Sequence, residues 1–202
     1  MDVNGAQREI FGLVGYVPTE GQSIIHQDQS RNKLIVGGER AGKSKVNSKE
    51  LLYHWFITPP PVGKSKKDAL YWLLGNDYEA CRGEWEHIVE DFQRLELLAA
   101  PPTKNIDPGE ILLQDGTRII TKSARYPEKI ATVAPDGILV CEAAQVDYDV
   151  FLRAKTRLAE KRGWLCMAGT FEQEDYVGWY RELFALGQSF NALELKLSLI
   201  HI

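Results

Sequence analysis

The sequence predicts an α/β fold in which a mostly parallel sheet is covered by helices on both faces. Short apolar segments, which suit buried strands, alternate along the chain with longer amphipathic segments, which suit helices. Polar residues or glycines stand directly after several apolar segments, and such sheets bind ligands at the carboxyl ends of their strands. The chain has 202 residues, 44% of them hydrophobic and 26% charged, which suits one globular domain.

The first half of the chain contains two strand–helix units. We expect residues 1–20 to be irregular, because a proline and scattered polar residues interrupt them. The segment NKLIV (32–36) predicts a buried strand, and a helix follows from Lys43 until a run of prolines ends it. The second unit is a strand in DALYWLLG (68–75) and a helix in residues 77–98, where apolar residues recur at helical spacing.

The second half begins with a predicted hairpin. In ILLQDGTRIITKS, Asp115 and Gly116 separate two apolar runs and suit a type I′ turn. The remaining segments alternate again, with strands predicted at residues 136–145 and 164–170 and helices at residues 149–163 and 172–187.

Composition narrows the class of protein. The net charge of −4 argues against a surface that is basic all over, but a local basic patch is compatible with it, so nucleic-acid binding stays open. Three scattered cysteines fit a reducing compartment and no disulfide framework. No apolar run approaches the roughly 20 residues of a membrane span, and the N-terminus lacks a signal-peptide pattern. We therefore expect a cytosolic protein without membrane contact.

The stretch VGGERAGKS, at the end of the first predicted strand, matches the phosphate-binding pattern G-x-x-x-x-G-K-[ST] in full. Its glycines let main-chain N–H groups approach an anion, and the following helix adds the positive end of its dipole. Lys43 can reach the terminal phosphates, and the Ser44 hydroxyl can bind Mg²⁺. The predicted nucleotide-binding residues are Gly37, Gly38, Glu39, Arg40, Ala41, Gly42, Lys43 and Ser44. The alternative is a glycine-rich turn with a solvated lysine.

Hydrolysis also requires an acid that aligns or deprotonates water. Glu142 follows a predicted strand and is the predicted catalytic carboxylate, with a further contact to Mg²⁺ through water; the alternative is a solvated residue. Cys141 stands where an aspartate is usual, and a neutral thiol binds Mg²⁺ poorly, so Asp136 is a candidate substitute. At the next strand end, Gly169 and Thr170 stand where a polar side chain can sense the γ-phosphate.

Together these motifs resemble the ATPase domain of the large terminase subunit, the motor that packages DNA into the capsids of tailed phages and herpesviruses. The opening of GGERAGKS is typical of that family, and so is CEAAQ, where the family more often has Asp-Glu-Ala. The segment AGT matches the motif that couples hydrolysis to movement in the family. The resemblance extends from Tyr16 to Gly187.

The resemblance implies a P-loop NTPase fold with an additional strand between the strand before the phosphate loop and the strand before Glu142. It implies ATP and Mg²⁺ as cofactors, with Mg²⁺ on Ser44, adenine near Gln22, and coupling of hydrolysis to movement through Gly169 and Thr170. The implied partners are double-stranded DNA, a portal protein and a small terminase subunit. The implied assembly is a homo-oligomeric ring in the host cytoplasm, docked transiently on a procapsid.

We divide the chain into an N-terminal lead-in (1–20), a P-loop ATPase domain (21–196) and a last segment (197–202). The last segment, LSLIHI, resembles the translation of an adapter used in sequencing libraries, so it is a candidate non-native tail; the alternative is a natural apolar strand. The nuclease domain that the family carries has no counterpart here, and we therefore expect a truncated chain.

Two departures from the family leave the activity open. Cys141 replaces the usual aspartate, and the segment before it lacks an arginine that relatives often carry. Arg40 and Arg125 are the candidates to replace that arginine, and Arg40 is favoured because it can stabilise transition-state charge from within the phosphate loop. The alternative for Arg40 is a surface side chain paired with Glu39 or solvent. The competing functions are a helicase-like or recombination ATPase and a nucleotide-binding module without turnover.

Overall fold

The computed structural model describes residues 4–60, 62–63, 65–130, 132–171, 178–188 and 197–201. Its strands are β1 Asn32–Val36, β2 Leu70–Gly75, β3 Glu110–Leu112, β4 Arg118–Ser123, β5 Gly137–Val140, β6 Trp164–Gly169 and β7 Leu197–His201. Its α-helices are α1 Gly5–Leu13, α2 Glu20–Gln27, α3 Lys43–Ile57, α4 Arg82–Arg94, α5 Tyr148–Glu160 and α6 Gly178–Gln188. Short 3-10 helices lie at Glu79–Cys81, Pro127–Ile130 and Ala143–Gln145.

The strands form one sheet in the order β3-β4-β2-β5-β6-β1-β7. The β3–β4 pair is antiparallel, and the other strand pairs are parallel. Strand β6 lies between β1, which precedes the glycine-rich loop, and β5, which precedes Glu142. The predicted α/β class and the predicted additional strand are therefore confirmed.

Helices cover both faces of the sheet, as predicted. On β2, Tyr71 and Leu73 pack into an apolar layer with residues of α1 to α4, whereas Trp72 and Leu74 pack into a second layer with residues of α5 and α6. All six residues of β2 are buried. A strand covered on both sides needs apolar residues at every position, which is why this segment has a continuous apolar run without alternation.

The expectation that residues 1–20 are irregular is wrong, because α1 lies within them. Asn4 caps this helix: its side chain accepts the Gln7 N–H at 2.9 Å, and the Gln7 side chain accepts the Asn4 N–H at 3.3 Å. This reciprocal capping box is visible in the sequence as Asn4-x-x-Gln7, a signal that the expectation of irregular structure left out. Ile10 and Phe11 attach the helix to the first apolar layer.

The predicted hairpin is confirmed as β3 and β4, but the predicted turn type is wrong. Gly116 has a φ of 85°, whereas Asp115 is not among the residues with positive φ, and a type I′ turn requires positive φ at both positions. The turn is closed by the Gly116 N–H, which donates to the Leu113 carbonyl at 3.0 Å, and by the Leu113 N–H, which donates to the Thr117 carbonyl at 2.9 Å.

The other predicted strands and helices are present where the structure describes them, but the segment 136–145 forms a strand only at Gly137–Val140 and a 3-10 helix at Ala143–Gln145. Of the helix predicted at 172–187, residues 178–187 lie in α6, and residues 172–177 lie outside the described residues. Strand β7, in the segment 197–202, pairs in parallel with β1. The non-native origin of that segment stays a prediction. None of the helices in the described ranges combines the length and apolar character needed to cross a membrane.

His54, in the last turn of α3, makes the stability of this fold depend on pH. Its ring stacks on Trp164 with centroids 4.3 Å apart, and burial lowers its pKa from 6.5 to about 4, although the Glu50 carboxylate opposes the shift. Between pH 6.5 and pH 4, His54 is therefore protonated in the unfolded chain but neutral in the folded chain. The free energy of unfolding consequently decreases as the pH falls through this range.

We expect His54→Phe, which keeps an aromatic ring against Trp164, to remove up to about 3 kcal/mol of the acid-induced loss of stability between pH 7 and pH 4. Urea unfolding of both proteins across this range measures the difference. Tyr53→Phe, which alters the aromatic ring next to His54 and leaves the imidazole in place, is the control. Parallel pH profiles for the wild type and His54→Phe would contradict the prediction.

Candidate active site

Three strand ends meet at one edge of the sheet. Because β1, β6 and β5 are parallel neighbours, the residues that follow them, Gly37, Thr170 and Glu142, come together there. A cleft of about 550 Å³ opens at this edge. Its walls are formed by Glu39, Arg40, Gly42, Lys43, Ser44, Lys45, His87, Glu142, Gln145 and Thr170. The glycine-rich loop, the predicted catalytic acid and the predicted phosphate sensor thus border the same cleft.

The glycine-rich loop leads directly into α3. Gly42 is the N-cap, with a φ of 80°, and no side chain caps the helix. The first-turn N–H groups of α3 therefore lack a side-chain acceptor, which is the arrangement that binds phosphate at helix N-termini. The φ of Gly42 favours glycine, and a Cβ there would lie 2.7 Å from Nε2 of Gln22 and would displace that side chain. Arg40 has a φ of 61°, an unfavourable conformation for a residue with a side chain.

Lys43 connects the loop to the end of β6. The side chain is buried, with only 8% of the residue exposed. Its Nζ donates to the carbonyls of Gly37 at 3.1 Å and Gly38 at 2.9 Å, and to Oγ1 of Thr170 at 2.7 Å. Thr170 Oγ1 donates in turn to the Gly37 carbonyl at 3.1 Å. A movement of the Lys43 ammonium would therefore lengthen or break its hydrogen bond to Thr170.

Gln22 lies behind the loop and is not among the residues that line the cleft. Its Oε1 accepts the Thr19 N–H at 3.0 Å, which completes the capping box of α2, and the Tyr16 hydroxyl at 3.1 Å. Its amide nitrogen abuts Gly42. The structure thus gives Gln22 a contact that positions the loop, and its predicted contact with adenine stays a prediction.

Glu142 follows β5 and lines the cleft. Its φ of 46° places it in the left-handed region, and its carbonyl accepts the Gln145 N–H at 2.9 Å. Unfavourable backbone conformations of this kind concentrate at functional sites. Cys141, one residue earlier, is fully buried, and burial together with the neighbouring Cys81 and Glu84 raises the pKa of its thiol well above the usual value. Cys141 is therefore a neutral thiol and a poor ligand for Mg²⁺.

Glu84, in the first turn of α4, is a buried acid that the sequence analysis did not predict. The residue is 2% exposed, Asn47 Nδ2 donates to its Oε1 at 3.3 Å, and the Cys141 thiol nearby acts to lower the pKa of its carboxyl. Burial raises its pKa to about 7, and the Glu142 carboxylate adds to this rise. Acids are common in the first turn of any helix because of the helix dipole, so no local pattern indicates that this one is buried.

Asp136 does not substitute for the missing aspartate, and this prediction is wrong. It precedes β5, at the end of the strand opposite to Glu142. Its Oδ2 accepts the Leu70 N–H at 2.8 Å and pairs with Lys161 Nζ at 2.9 Å. A side chain held by these partners at the amino end of the strand cannot reach the cleft.

The two candidate arginines lie in different places. Arg40 lines the cleft and makes no ion pair with Glu39 in the part of the chain that the structure describes. Arg125 pairs with Asp77 at 3.0 Å and is not among the lining residues. The geometry therefore favours Arg40, as the sequence analysis did.

The donors near Ser44 fit a magnesium ion. Ser44 and Glu142 both line the cleft, and they offer the oxygen atoms that Mg²⁺ prefers. Asn47, three residues further along α3, is fully buried, and its Oδ1 has no hydrogen-bond partner within the described residues. In the same residues, no group of three or more His, Cys, Asp or Glu side chains is arranged to hold a metal.

The sheet order, the glycine-rich loop before α3 and the acid at a nearby strand end define a P-loop α/β domain. The chain is similar to two proteins named large terminase subunit, from Thermus phage G20c and Thermus virus P23-45, each 22% identical over 89% of this chain. It spans only 38% of the length of these relatives. No family model matches the chain.

Solved structures show the same likeness. The large terminase ATPase domain of Thermus phage P74-26 matches all of this chain and 86% of that domain, with a TM-score of 0.75 and 17% identity. The large terminase of another thermophilic bacteriophage, in complex with ATP-gamma-S, matches 99% of this chain and 44% of that protein, with a TM-score of 0.63 and 11% identity. At these identities the structural likeness shows the fold. The predicted resemblance to the large terminase subunit is confirmed over most of the chain.

Proposed function

We propose that this chain is the ATP-hydrolysing motor domain of a viral DNA-packaging terminase, which converts hydrolysis into movement of DNA into a procapsid. One observation supports this proposal most. Lys43 at the start of α3 and Glu142 at the end of β5 border one cleft, and a hydrogen bond joins Lys43 to Thr170 at the end of the intervening strand. A phosphate-binding cation and a potential general base thereby share a site with a side chain suited to report its state.

The loop residues 37–44 and the first turn of α3 bind the phosphates of ATP through main-chain N–H groups. The Lys43 ammonium exchanges its bonds to the loop carbonyls for bonds to the terminal phosphates. Arg40 stabilises the charge that develops in the transition state. Gln22, behind Gly42, contacts the adenine.

Glu142 aligns the attacking water and accepts its proton. Ser44, together with Glu142 through a water molecule, would hold Mg²⁺, and the ion would supply positive charge that neutralises the phosphates. Gly169 and Thr170 transmit the outcome, because Thr170 shares its hydrogen bond with the ammonium that binds the phosphates. This arrangement links the state of the nucleotide to β6 and to the elements that pack on it.

Partners and assembly are proposed from the relatives. Double-stranded DNA, a portal protein and a small terminase subunit would meet a homo-oligomeric ring of such chains, in the host cytoplasm at the procapsid. These parts of the proposal concern a whole large terminase subunit, and this chain covers only 38% of the length of the matched relatives.

A nucleotide-binding module without turnover is the second candidate, because the buried thiol of Cys141 stands where an aspartate would assist the metal. Steady-state phosphate release and calorimetric ATP affinity of the wild type separate the two. The motor proposal expects both binding and release. ATP affinity without phosphate release would support the inert module.

Titration with double-stranded DNA and a portal protein addresses the other ATPase class. DNA alone would stimulate the rate of ATP hydrolysis by a helicase-like or recombination ATPase. In a packaging motor, addition of the portal protein would change that rate further. Absence of ATP binding would overturn every one of these functions.

A further inference from the structure

We propose that Glu84 supplies the metal-positioning carboxylate that Cys141 lacks, so that this acid comes from α4 and not from the end of β5. The inference rests on the proposed function and adds a residue to it. Glu142 keeps its separate role toward water. Glu84 from α4 would then position the metal and Glu142 after β5 would activate water, two roles that adjacent acids usually perform.

The position of Glu84 supports this assignment. Its carboxyl and the Cys141 thiol are close enough for each to shift the pKa of the other, so Glu84 is a neighbour of the side chain that occupies the usual aspartate position. The preceding residue, Gly83, packs against the predicted magnesium ligand: a Cβ at Gly83 would lie 3.1 Å from Oγ of Ser44. The start of α4 therefore packs against Ser44 and lies near Cys141. A glycine at position 83 is what allows this close approach.

The chemistry of the surroundings points to a cation. Glu84 is almost fully buried and has no ion pair within the described chain. Asn47, which donates to it, is also buried and leaves its own Oδ1 without a partner there. Buried carboxylates are normally paired with a cation or bind a metal. Burial without such a partner also accounts for the raised pKa of Glu84, and a divalent cation nearby would favour the ionised form.

The test measures how strongly Mg²⁺ and nucleotide support each other's binding. The affinity for ATP-gamma-S is determined by calorimetry with Mg²⁺ and with excess EDTA, and the ratio gives the metal coupling without hydrolysis. We expect Glu84→Gln to reduce this coupling by about 10- to 100-fold, the usual effect of removing a carboxylate that supports a metal site. The affinity for ATP-gamma-S in EDTA should stay within about threefold of the wild-type value, which corresponds to a change in binding free energy well below 1.4 kcal/mol.

Glu90→Gln, on the exposed side of the same helix, is the matched control and should keep the wild-type coupling. The double variant Glu84→Gln, Cys141→Asp should recover it, because a carboxylate returns to the usual position. If Glu84→Gln does not fold, Glu84→Asp keeps the charge but withdraws it by one methylene, and a severalfold loss of coupling is expected.

Wild-type coupling in a folded Glu84→Gln or Glu84→Asp variant would overturn the inference while leaving the proposed function intact. Failure of the wild type to bind ATP-gamma-S would instead defeat the proposed function. The two failures are therefore distinguishable. Circular dichroism of each variant establishes that the comparison is between folded proteins.

Discussion

Lys43→Ala is expected to weaken ATP binding by about 100-fold or more and to abolish phosphate release, because it removes the buried ammonium that faces the loop. Two charge-assisted hydrogen bonds to phosphate are worth about 3 kcal/mol or more together, which corresponds to that factor. The alanine variant also loses the bond between Lys43 and Thr170, and with it the connection from the loop to β6. Calorimetry with ATP and a phosphate-release assay measure the two losses.

Lys155→Ala is the control for this experiment. Lys155 lies on the exposed side of α5 and is not among the lining residues, so its removal changes the net charge equally without touching the cleft. Both proteins should have similar unfolding temperatures. Normal ATP affinity and turnover in Lys43→Ala would remove the phosphate-loop assignment.

Glu142→Gln is expected to lower the rate of hydrolysis by about 10²- to 10⁴-fold, the range that a general base contributes. ATP affinity should change little, because the substitution keeps the size of the side chain and leaves the loop and Lys43 unaltered. Single-turnover hydrolysis and calorimetric affinity, measured on the same preparation, separate catalysis from binding. The expected pattern is a protein that binds ATP and does not cut it.

Glu110→Gln provides the matched control, since Glu110 pairs with Arg118 on the edge strand β3, away from the cleft. Its hydrolysis rate should equal that of the wild type. A Glu142→Gln variant that hydrolyses ATP at the wild-type rate would show that another group activates the water. A variant that loses affinity to the same degree as turnover would assign Glu142 to binding.

Local signals predicted most of the elements correctly. The buried strands β2, β5 and β6, and the apolar end of β1, were predictable because a strand covered on both faces is apolar along most of its length. The helix α1 was also within reach, since its capping box is a pattern of two residues three positions apart. The turn before β4 was not, because Asp-Gly suits more than one hairpin turn, and the choice depends on how the two strands meet.

The class of fold, the glycine-rich loop after β1 and the acid after β5 could be predicted from the sequence, because each of these depends on residues adjacent in the chain. Only the tertiary structure showed that Glu84 lies beside Cys141, that Asp136 belongs to the opposite end of its strand, and that Lys43 bonds to Thr170. These relations join residues far apart in sequence, and their chemistry depends on burial and distance. The sequence does not show whether a carboxylate in the first turn of a helix is exposed or buried, because that depends on how the helix packs against the rest of the domain.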